Sequence, residues 1–300
     1  MTATAAILPG DHVAAADPIP EPPAIATPRR RRLPRLNGAL VMGSAILLTI
    51  ALLAIAAPLL TGFDPRAVDL GQRLRPWDGT HLLGTDMLGR DILSRMLFGT
   101  RTSLAIGFSC AAMSLAIGTV IGVISAATRL GDAIIMRVLD GVMSVPAVLL
   151  AIALMAIAGG SAINVIIAVT IVETPRCARL ARGLMLSLRE RPYVEAAIAS
   201  GTPPALLLTR HLLPSLMAPL MVQGAFVWAA AMLIEAALSF IGAGVPPSTP
   251  TWGNMIAESK SLWQLRPSLI FLPAAALTLT VLGVNLLGEG LRRLFDIRRR

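Results

Sequence analysis

The sequence has little charge. Only 14% of its 300 residues are Asp, Glu, Lys or Arg, whereas 55% are apolar and the mean hydropathy is +0.73. Soluble domains carry roughly a quarter charged residues, and so few charges cannot solvate the surface of a chain of this size. The composition excludes a water-soluble globular protein and indicates a chain whose solvent is lipid.

Histidine, cysteine and lysine, which metal and phosphate sites use, are also scarce. The three histidines fall in separate regions and the two cysteines lie far apart beside apolar stretches, so neither a metal site nor a disulfide framework is predicted. The single lysine, Lys260, follows a serine, whereas a phosphate-binding loop places lysine between glycine and Ser or Thr. We therefore predict no catalytic site and no ATPase motif, with Cys110 and Cys177 as small packing residues.

Apolar runs long enough to cross a bilayer, about 20 residues each, are frequent. The uncharged run from Gly141 to Val172 is too long for one crossing, and we divide it at the turn Gly159-Gly160-Ser161. The sequence thus predicts an all-α membrane protein whose polytopic domain occupies residues 39–300. Its six transmembrane helices are predicted at residues 39–61, 102–128, 138–158, 162–180, 215–243 and 267–288.

Six crossings divide the arginines unequally between two sides. The arginines before the first span, those between residues 176 and 210, and those that follow residue 291 all fall on one side, which the positive-inside rule places in the cytoplasm together with both termini. This distribution accounts for the net charge of +9 without a nucleic-acid partner.

The first 38 residues contain seven prolines and no apolar period, so they predict a disordered, Pro/Ala-rich, basic cytoplasmic tail, residues 1–38. The apolar run that follows is longer than the usual h-region of about 7 to 15 residues. We therefore favour an uncleaved anchor over a cleaved signal peptide.

The longest cytoplasmic connection is predicted at residues 181–214 and begins with a short helix. Pro192 suits the first helical position, Glu195 suits the positively polarised helix start, and Gly201 suits a left-handed stop. Alanines on this helix allow close approach to another surface. An ordinary amphipathic hairpin is the simpler interpretation.

A second short helix should follow directly. Thr202 is the predicted N-cap and Pro203 the first helical residue, with an apolar run behind them. This helix should end near Pro214.

The connection resembles the EAA signature of the permease subunits of binding-protein-dependent ABC importers. Glu195-Ala196-Ala197, then Gly201, then His211-Leu212-Leu213-Pro214 stand at the spacings of that signature. In such permeases this loop docks into a cleft of the ATPase subunit. The resemblance therefore implies an ATPase-docking role for Glu195, Ala196, Ala197, Gly201, His211, Leu213 and Pro214.

A second motif, on the predicted outer side, resembles the C-type subunit of dipeptide, oligopeptide and nickel permeases. This extracytoplasmic motif comprises Gly84, Thr85, Asp86, Gly89, Arg90 and Asp91. Its two acidic residues alternate with Arg90 and Arg95, which predicts pairs of opposite charge. Two interpretations remain open: a structural loop beside the entrance, and a direct contact with the binding protein.

The resemblance extends over most of residues 36–296 and implies a type I ABC importer permease fold in the bacterial inner membrane. It implies four kinds of partner: a second homologous permease subunit, two ATP-binding subunits, an extracytoplasmic solute-binding protein and membrane lipid. It implies no cofactor in this chain, since ATP and Mg would be bound by the ATPase subunits. The implied function is import of di- or oligopeptides.

For the ionisable and small residues inside the spans, the sequence favours structural roles. Glu235 should lie near the outer boundary, where a structural role is favoured over a functional one. Glu173 and Arg176 should form a pair within one helix, with solute contact as the lesser alternative. Gly118 and Gly122 form a small-xxx-small pair that suits close helix packing.

Other functions stay open at this point. A stand-alone secondary transporter would place ion-binding acids at mid-depth, and a membrane-embedded enzyme would need a nucleophile with a base or a set of metal ligands. A nickel-type importer permease is the third alternative. The sequence assigns no solute and no substrate-binding residue.

Overall fold

The computed structural model describes residues 37–297, and all regular elements in that part of the chain are helical. The α-helices are α1 Gly38–Leu60, α2 Ile92–Ala127, α3 Arg129–Met143, α4 Ala147–Ala158, α5 Ala162–Arg189, α6 Pro192–Ala199, α7 Pro204–Leu207, α8 Leu213–Ile241, α9 Trp252–Ser259 and α10 Ser268–Ile297. Residues 1–36 of the predicted tail lie outside the described residues.

Within residues 37–297, the helical runs long and apolar enough to cross a membrane are Gly38–Leu60, Ile92–Ala127, Pro204–Ile241 and Ser268–Phe295. The pair α3 and α4 supplies a fifth crossing if the two are counted together. The helix α5 covers the predicted fourth span, but it carries Glu173, Arg176 and Arg179, so its composition is not that of a lipid-facing helix. The count of six crossings therefore stays a prediction.

The predicted span 138–158 is wrong as a single helix. The helix α3 ends at Met143, α4 begins at Ala147, and their axes differ by 88°. Pro146 has no N–H with which to continue the α3 ladder, and helical backbone is disfavoured at Val145 because it precedes a proline. Apolar composition alone does not predict this break.

Two predicted spans lie within longer helices. The helix α2 begins at Ile92 rather than at 102, and α5 continues to Arg189 rather than ending at 180. Absence of charge set the limit at 102, whereas Arg101 lies inside α2 and Arg182 inside α5, and both bind partners there. A paired arginine does not stop a helix.

The helices α2 and α5 run parallel along a close seam. A Cβ atom at Gly118 would lie 2.5 Å from the Cβ of Cys177, and one at Gly122 would lie 2.4 Å from the carbonyl oxygen of Ala178. Cys110 is buried on the same seam, where its sulfur faces α5. The predicted packing roles of both glycines and both cysteines are confirmed.

The terminal helices α1 and α10 are antiparallel and nearly touch. Gly43 packs on the backbone of Leu287, and Gly290 packs on Leu40. The helix α10 is likewise antiparallel to α8. The start of α1, the end of α10 and the α5–α8 connection therefore share one end of the bundle, while the side of the membrane that this end occupies stays a prediction.

An arginine joins α2 to α1 at the other end of the bundle. Pro58, inside α1, has no N–H and leaves the carbonyl of Ala54 without its helical donor. Arg101 supplies that donor: its Nε donates to Ala54 O, and its Nη2 donates to Ile55 O at 2.9 Å. The sequence therefore couples a helix-disrupting proline to a compensating arginine 43 positions later.

Replacing Arg101 with leucine should lower the free energy of unfolding by about 1–3 kcal/mol, because a buried carbonyl loses its donor. In a Pro58→Ala background, Arg101→Leu should lower the free energy of unfolding by less, because the introduced alanine has a backbone N–H that can donate to Ala54 O. Thermal unfolding of the four proteins of this double-mutant cycle in detergent measures the difference. Equal losses in both backgrounds would contradict the assignment.

Candidate functional sites

The extracytoplasmic motif folds into a tight loop before α2. Gly84 and Gly89 have φ of +79° and +75°, and a Cβ at Gly89 would lie 1.7 Å from the carbonyl oxygen of Asp69. Thr85 Oγ1 accepts the backbone N–H of Arg75 at 2.8 Å. Only glycine fits at both glycine positions, because each needs a left-handed backbone and leaves no room for a side chain.

Four charged side chains hold this loop in place; Asp86, Arg90 and Arg95 are buried and Glu258 is half-buried. Arg90 Nε donates to Asp86 Oδ2 at 2.7 Å, and Arg95 Nη1 donates to the same oxygen at 2.5 Å. Both arginines also donate to Glu258 Oε2, each at 2.6 Å. We call Asp86, Arg90, Arg95 and Glu258 the outer cluster; it ties the loop and α2 to α9.

Asp91 does not take part in the alternating pairs that the sequence predicts. One of its carboxylate oxygens lies 2.9 Å from His81 Nδ1, and the other accepts the N–H of Ser94 at 2.7 Å as the N-cap of α2. The acid that completes the arginine pairing is instead Glu258. Sequence reasoning missed it because it lies 163 positions beyond Arg95 and no local spacing points to it.

The charged residues of the extracytoplasmic motif are covered by their own chain. Asp86, Arg90 and Asp91 are all buried, and the side chains of Asp86 and Arg90 are only 10% and 7% exposed. Groups so covered do not offer a contact surface to another protein. The geometry favours the structural interpretation of this motif over direct contact with a binding protein.

Low pH should weaken the ion pairs of the outer cluster. Burial alone would raise the pKa of Asp86, but the nearby guanidinium groups of Arg90 and Arg95 outweigh it and hold that pKa below its usual value. A lowered pKa in the folded state stabilises the fold above the ordinary carboxyl pKa of about 4, and this stabilisation is lost as the pH falls through the folded value.

The stability difference between the wild type and Asp86→Asn should therefore narrow below about pH 4. Thermal unfolding of both proteins in detergent between neutral and acidic pH measures it. A constant difference across that range would show that the Asp86 charge does not stabilise the loop.

The second candidate site is the α6–α7 hairpin, residues 192–207, at the opposite end of the bundle. Pro192 is the first residue of α6, as predicted. The predicted stop at Gly201 is also confirmed: its φ is +77°, its N–H donates to Ile198 O, and the N–H of Thr202 donates to Ala197 O. These two bonds form a Schellman motif, which requires the left-handed residue.

The second helix of the hairpin differs from the prediction at both ends. Its N-cap is Pro203 rather than Thr202, and Pro204 is its first residue. It does not end near Pro214 but passes through a π-helical turn, Leu208–Leu212, directly into α8. The wider turn lets Leu213 donate to the carbonyl of Leu208, five residues back, just before a proline that has no N–H to donate.

The α6–α7 hairpin exposes most of its surface. Of the eight residues of α6, only Val194 is buried, and it packs among core side chains of α5 and α8. Tyr193 and Ile198 are 45% and 56% exposed, and Leu206 on α7 is 43% exposed. The hairpin is thus anchored at one point and presents apolar side chains outward.

The seven predicted docking residues are not equally accessible. Glu195, Ala196, Gly201 and Pro214 are exposed, whereas Ala197, His211 and Leu213 are half-buried. The first group lies at the hairpin and at the start of α8. The second group is partly covered by the chain itself, so the role of these seven residues in docking stays a prediction.

Ionisable residues of α5 form a third group. Arg176 Nη1 lies 3.2 Å from both carboxylate oxygens of Glu173, which confirms the predicted pair within one helix. Further along α5, Arg179 binds Asp140 of α3, and Arg182 Nη2 binds Asp132 of α3 at 2.5 Å. These ion pairs fix α3 along the second half of α5.

Glu235 has a structural setting in α8. Its side chain is buried, accepts the Ser239 hydroxyl at 2.9 Å, and lies so close to α9 that a Cβ at Gly253 would be 3.3 Å from its carboxylate. The favoured interpretation of the sequence is consistent with these contacts. Among residues 37–297 there is no group of three His, Cys, Asp or Glu residues that could hold a metal ion.

Comparison with known proteins gives three kinds of match. Residues 118–300 match the family described as binding-protein-dependent transport system inner membrane component. The chain is 47% identical over 276 residues to a probable peptide ABC transporter permease protein of Sinorhizobium fredii, covering 92% of this chain and 94% of that protein. It is 37% identical to the dipeptide transport system permease protein DppC of Alkalihalophilus pseudofirmus, covering 87% and 86%.

A putative peptide transport system permease protein of Brucella suis is 40% identical, covering 86% of this chain and 87% of that protein. Among solved structures, an inward-facing MetNI methionine ABC transporter matches with a TM-score of 0.55 at 17% identity, covering 67% of this chain and 95% of that chain. At that identity the match concerns the fold, which is the type I ABC importer permease fold expected from the sequence.

Proposed function

Because the chain belongs to the family of binding-protein-dependent transport system inner membrane components, we propose that it is the permease subunit of an ATP-driven importer of di- and oligopeptides. Proteins of this family are multi-pass proteins of the bacterial inner membrane. Family membership supports this function over a stand-alone secondary transporter. The three relatives named above are described as peptide permeases, which favours peptides over nickel chelates.

The proposal divides the work between this chain and its partners. Two ATP-binding subunits bind ATP and Mg, a second homologous permease completes the pathway, and an extracytoplasmic binding protein delivers the solute. This chain supplies half of the pathway and, on the cytoplasmic side, the α6–α7 hairpin as a docking surface. Its role is to convert closure of the ATP-binding subunits into movement of its helices.

The observation that carries the proposal is the construction of the α6–α7 hairpin. Its exposed apolar side chains, Tyr193, Ile198 and Leu206, offer a surface for docking. The turn after α7 runs without interruption into α8, whose 29 residues cross the bundle. A displacement of the docked hairpin is therefore transmitted along one continuous helical path into the membrane.

Reconstitution of the chain with its genomic partners in proteoliposomes tests the proposal. Uptake of a labelled dipeptide should require ATP on the side of the membrane that the hairpin faces, the binding protein on the other side, and all the subunits. Uptake by the chain alone, driven by an ion gradient, would overturn the proposal in favour of secondary transport.

A further inference from the structure

One charged side chain in the middle of α5 is not covered by the rest of the chain. Arg176 is the fifteenth residue of α5, about 21 Å along the helix from Ala162, whereas the hydrocarbon core of a bilayer is about 30 Å thick. Its side chain is 50% exposed. A guanidinium group at that depth is costly in contact with lipid, so it must face a polar space or another protein.

The exposed face that carries Arg176 is not the lipid-like face of α5. The outer half of α5 exposes Ile163, Ile167 and Ile171 in a single stripe. Arg176 follows Ile171 by five residues and is therefore turned about 140° away from that stripe. The helix thus has an apolar exposed face in its outer half and a different, charged exposed face in its inner half.

Only one nitrogen of the Arg176 guanidinium group makes hydrogen bonds within the described part of the chain. Its Nη1 lies 3.2 Å from both oxygens of Glu173, whose side chain is 1% exposed. Within residues 37–297, its Nε and Nη2 donate no hydrogen bond. Glu173 holds the arginine in place and is itself shielded, which leaves a positioned cation with free donors.

Arg176 lines a cavity beside the break between α3 and α4. The space between the α3–α4 bend and α5 has a volume of about 170 Å³ and is lined by Val145, Pro146, Val172 and Arg176, among others. Water occupies about 30 Å³ per molecule in the liquid, so the cavity has room for a carboxylate group and a few waters. Apart from Arg176, its lining side chains are apolar.

We propose that Arg176, at the cavity of the α3–α4 bend, lies on the solute pathway and binds the carboxylate of the passing peptide. The inference rests on the proposed function and assigns to it a solute-contacting residue. Arginine suits this task because its planar donors match a carboxylate. Shielding of Glu173 explains why the site selects an anionic group rather than an ammonium group.

The test measures uptake of one labelled dipeptide with a free C-terminal carboxylate and of the same dipeptide as its C-terminal amide. The full complex is reconstituted with the wild-type chain or with a variant. Replacing Arg176 alone would leave Glu173 buried and unpaired, which risks misfolding. The double variant Glu173→Gln/Arg176→Gln removes both charges, and Glu173→Gln alone keeps the arginine; co-purification with the ATP-binding subunits checks assembly of each.

The double variant should lose about tenfold or more of carboxylate-peptide uptake, as expected for one charge-assisted bond, while its amide uptake changes less than about twofold. Glu173→Gln keeps the guanidinium group and one oxygen that can accept from it, so this variant should retain more of the preference for the carboxylate peptide than the double variant does. Arg179→Gln, three residues further along α5 and outside the cavity lining, should keep the wild-type preference. An unchanged preference in the double variant, or an equal loss for both peptides, overturns the assignment of Arg176.

Failure of the proposed function gives a different result. A wild-type complex that imports neither peptide overturns that function, and this inference falls with it. A wild-type complex that imports the dipeptide, with a double variant that imports it equally well, overturns the assignment of Arg176 alone.

Discussion

Arg95→Met should destabilise the fold by about 3–5 kcal/mol, the cost of removing one partner of a buried ion pair. The Arg95 side chain is 2% exposed and its Nη1 contacts the carboxylates of Asp86 and Glu258. Without it, Asp86 and Glu258 share a single arginine, Arg90, and repel each other in a largely covered site. Thermal unfolding in detergent, followed by loss of helical signal, measures the change.

A second substitution distinguishes this charge effect from a packing defect. Adding Glu258→Gln to Arg95→Met removes one of the two acids and should recover part of the lost stability. Arg75→Met, on the same loop, removes an exposed arginine 3.8 Å from Asp78 and should change stability little. If the two arginine variants behave alike, the outer cluster does not hold the loop.

Gly201→Val should impair both peptide uptake and the stimulation of ATPase activity by the binding protein. Gly201 has a φ of +77°, which costs a non-glycine residue about 1–2 kcal/mol and a β-branched residue more. That strain shifts the balance of hairpin conformations about 5- to 30-fold away from the native one. Peptide uptake and the stimulation of ATPase activity by the binding protein should fall by a similar factor, with membrane insertion intact.

Gly183→Val provides the matched control. Gly183 also has open space around the position of a Cβ, but it lies inside α5 with no positive φ. Valine has a higher helix propensity than glycine, so the protein should insert, assemble and transport normally. Normal transport by Gly201→Val as well would show that the Schellman turn does not position the docking surface.

Local backbone rules were enough to predict the first half of the α6–α7 hairpin. Pro192 and Gly201 act through their own φ preferences, which depend little on the rest of the chain. The end of the hairpin was not predictable in this way. Pro214 is a helix terminator by the same rules, yet a π-helical turn absorbs it, because the chain packs in the core on both sides of that proline.

Long-range partners account for the remaining differences. The pairing of Asp86 with Arg90 follows from their spacing, whereas Glu258 reaches the outer cluster only because α9 folds back onto the loop. Arg176 was predicted to pair with Glu173, but its free donors became visible only with the bend at Pro146 in place. Spacing predicts contacts within one helix and not those that a helix break or a distant element provides.

Cross-linking from the α6–α7 hairpin tests most directly the central claim that this hairpin is the surface on which an ATP-binding subunit acts. A cysteine introduced as Ile198→Cys, in a chain in which Cys110 and Cys177 are replaced by alanine, carries a short photo-cross-linker. Leu82→Cys, similarly exposed at the opposite end of the bundle, carries the same reagent as the control. The account predicts cross-links to the ATP-binding subunit from position 198 and none from position 82; cross-links from position 198 to any other subunit, with none to the ATP-binding subunit, would contradict it.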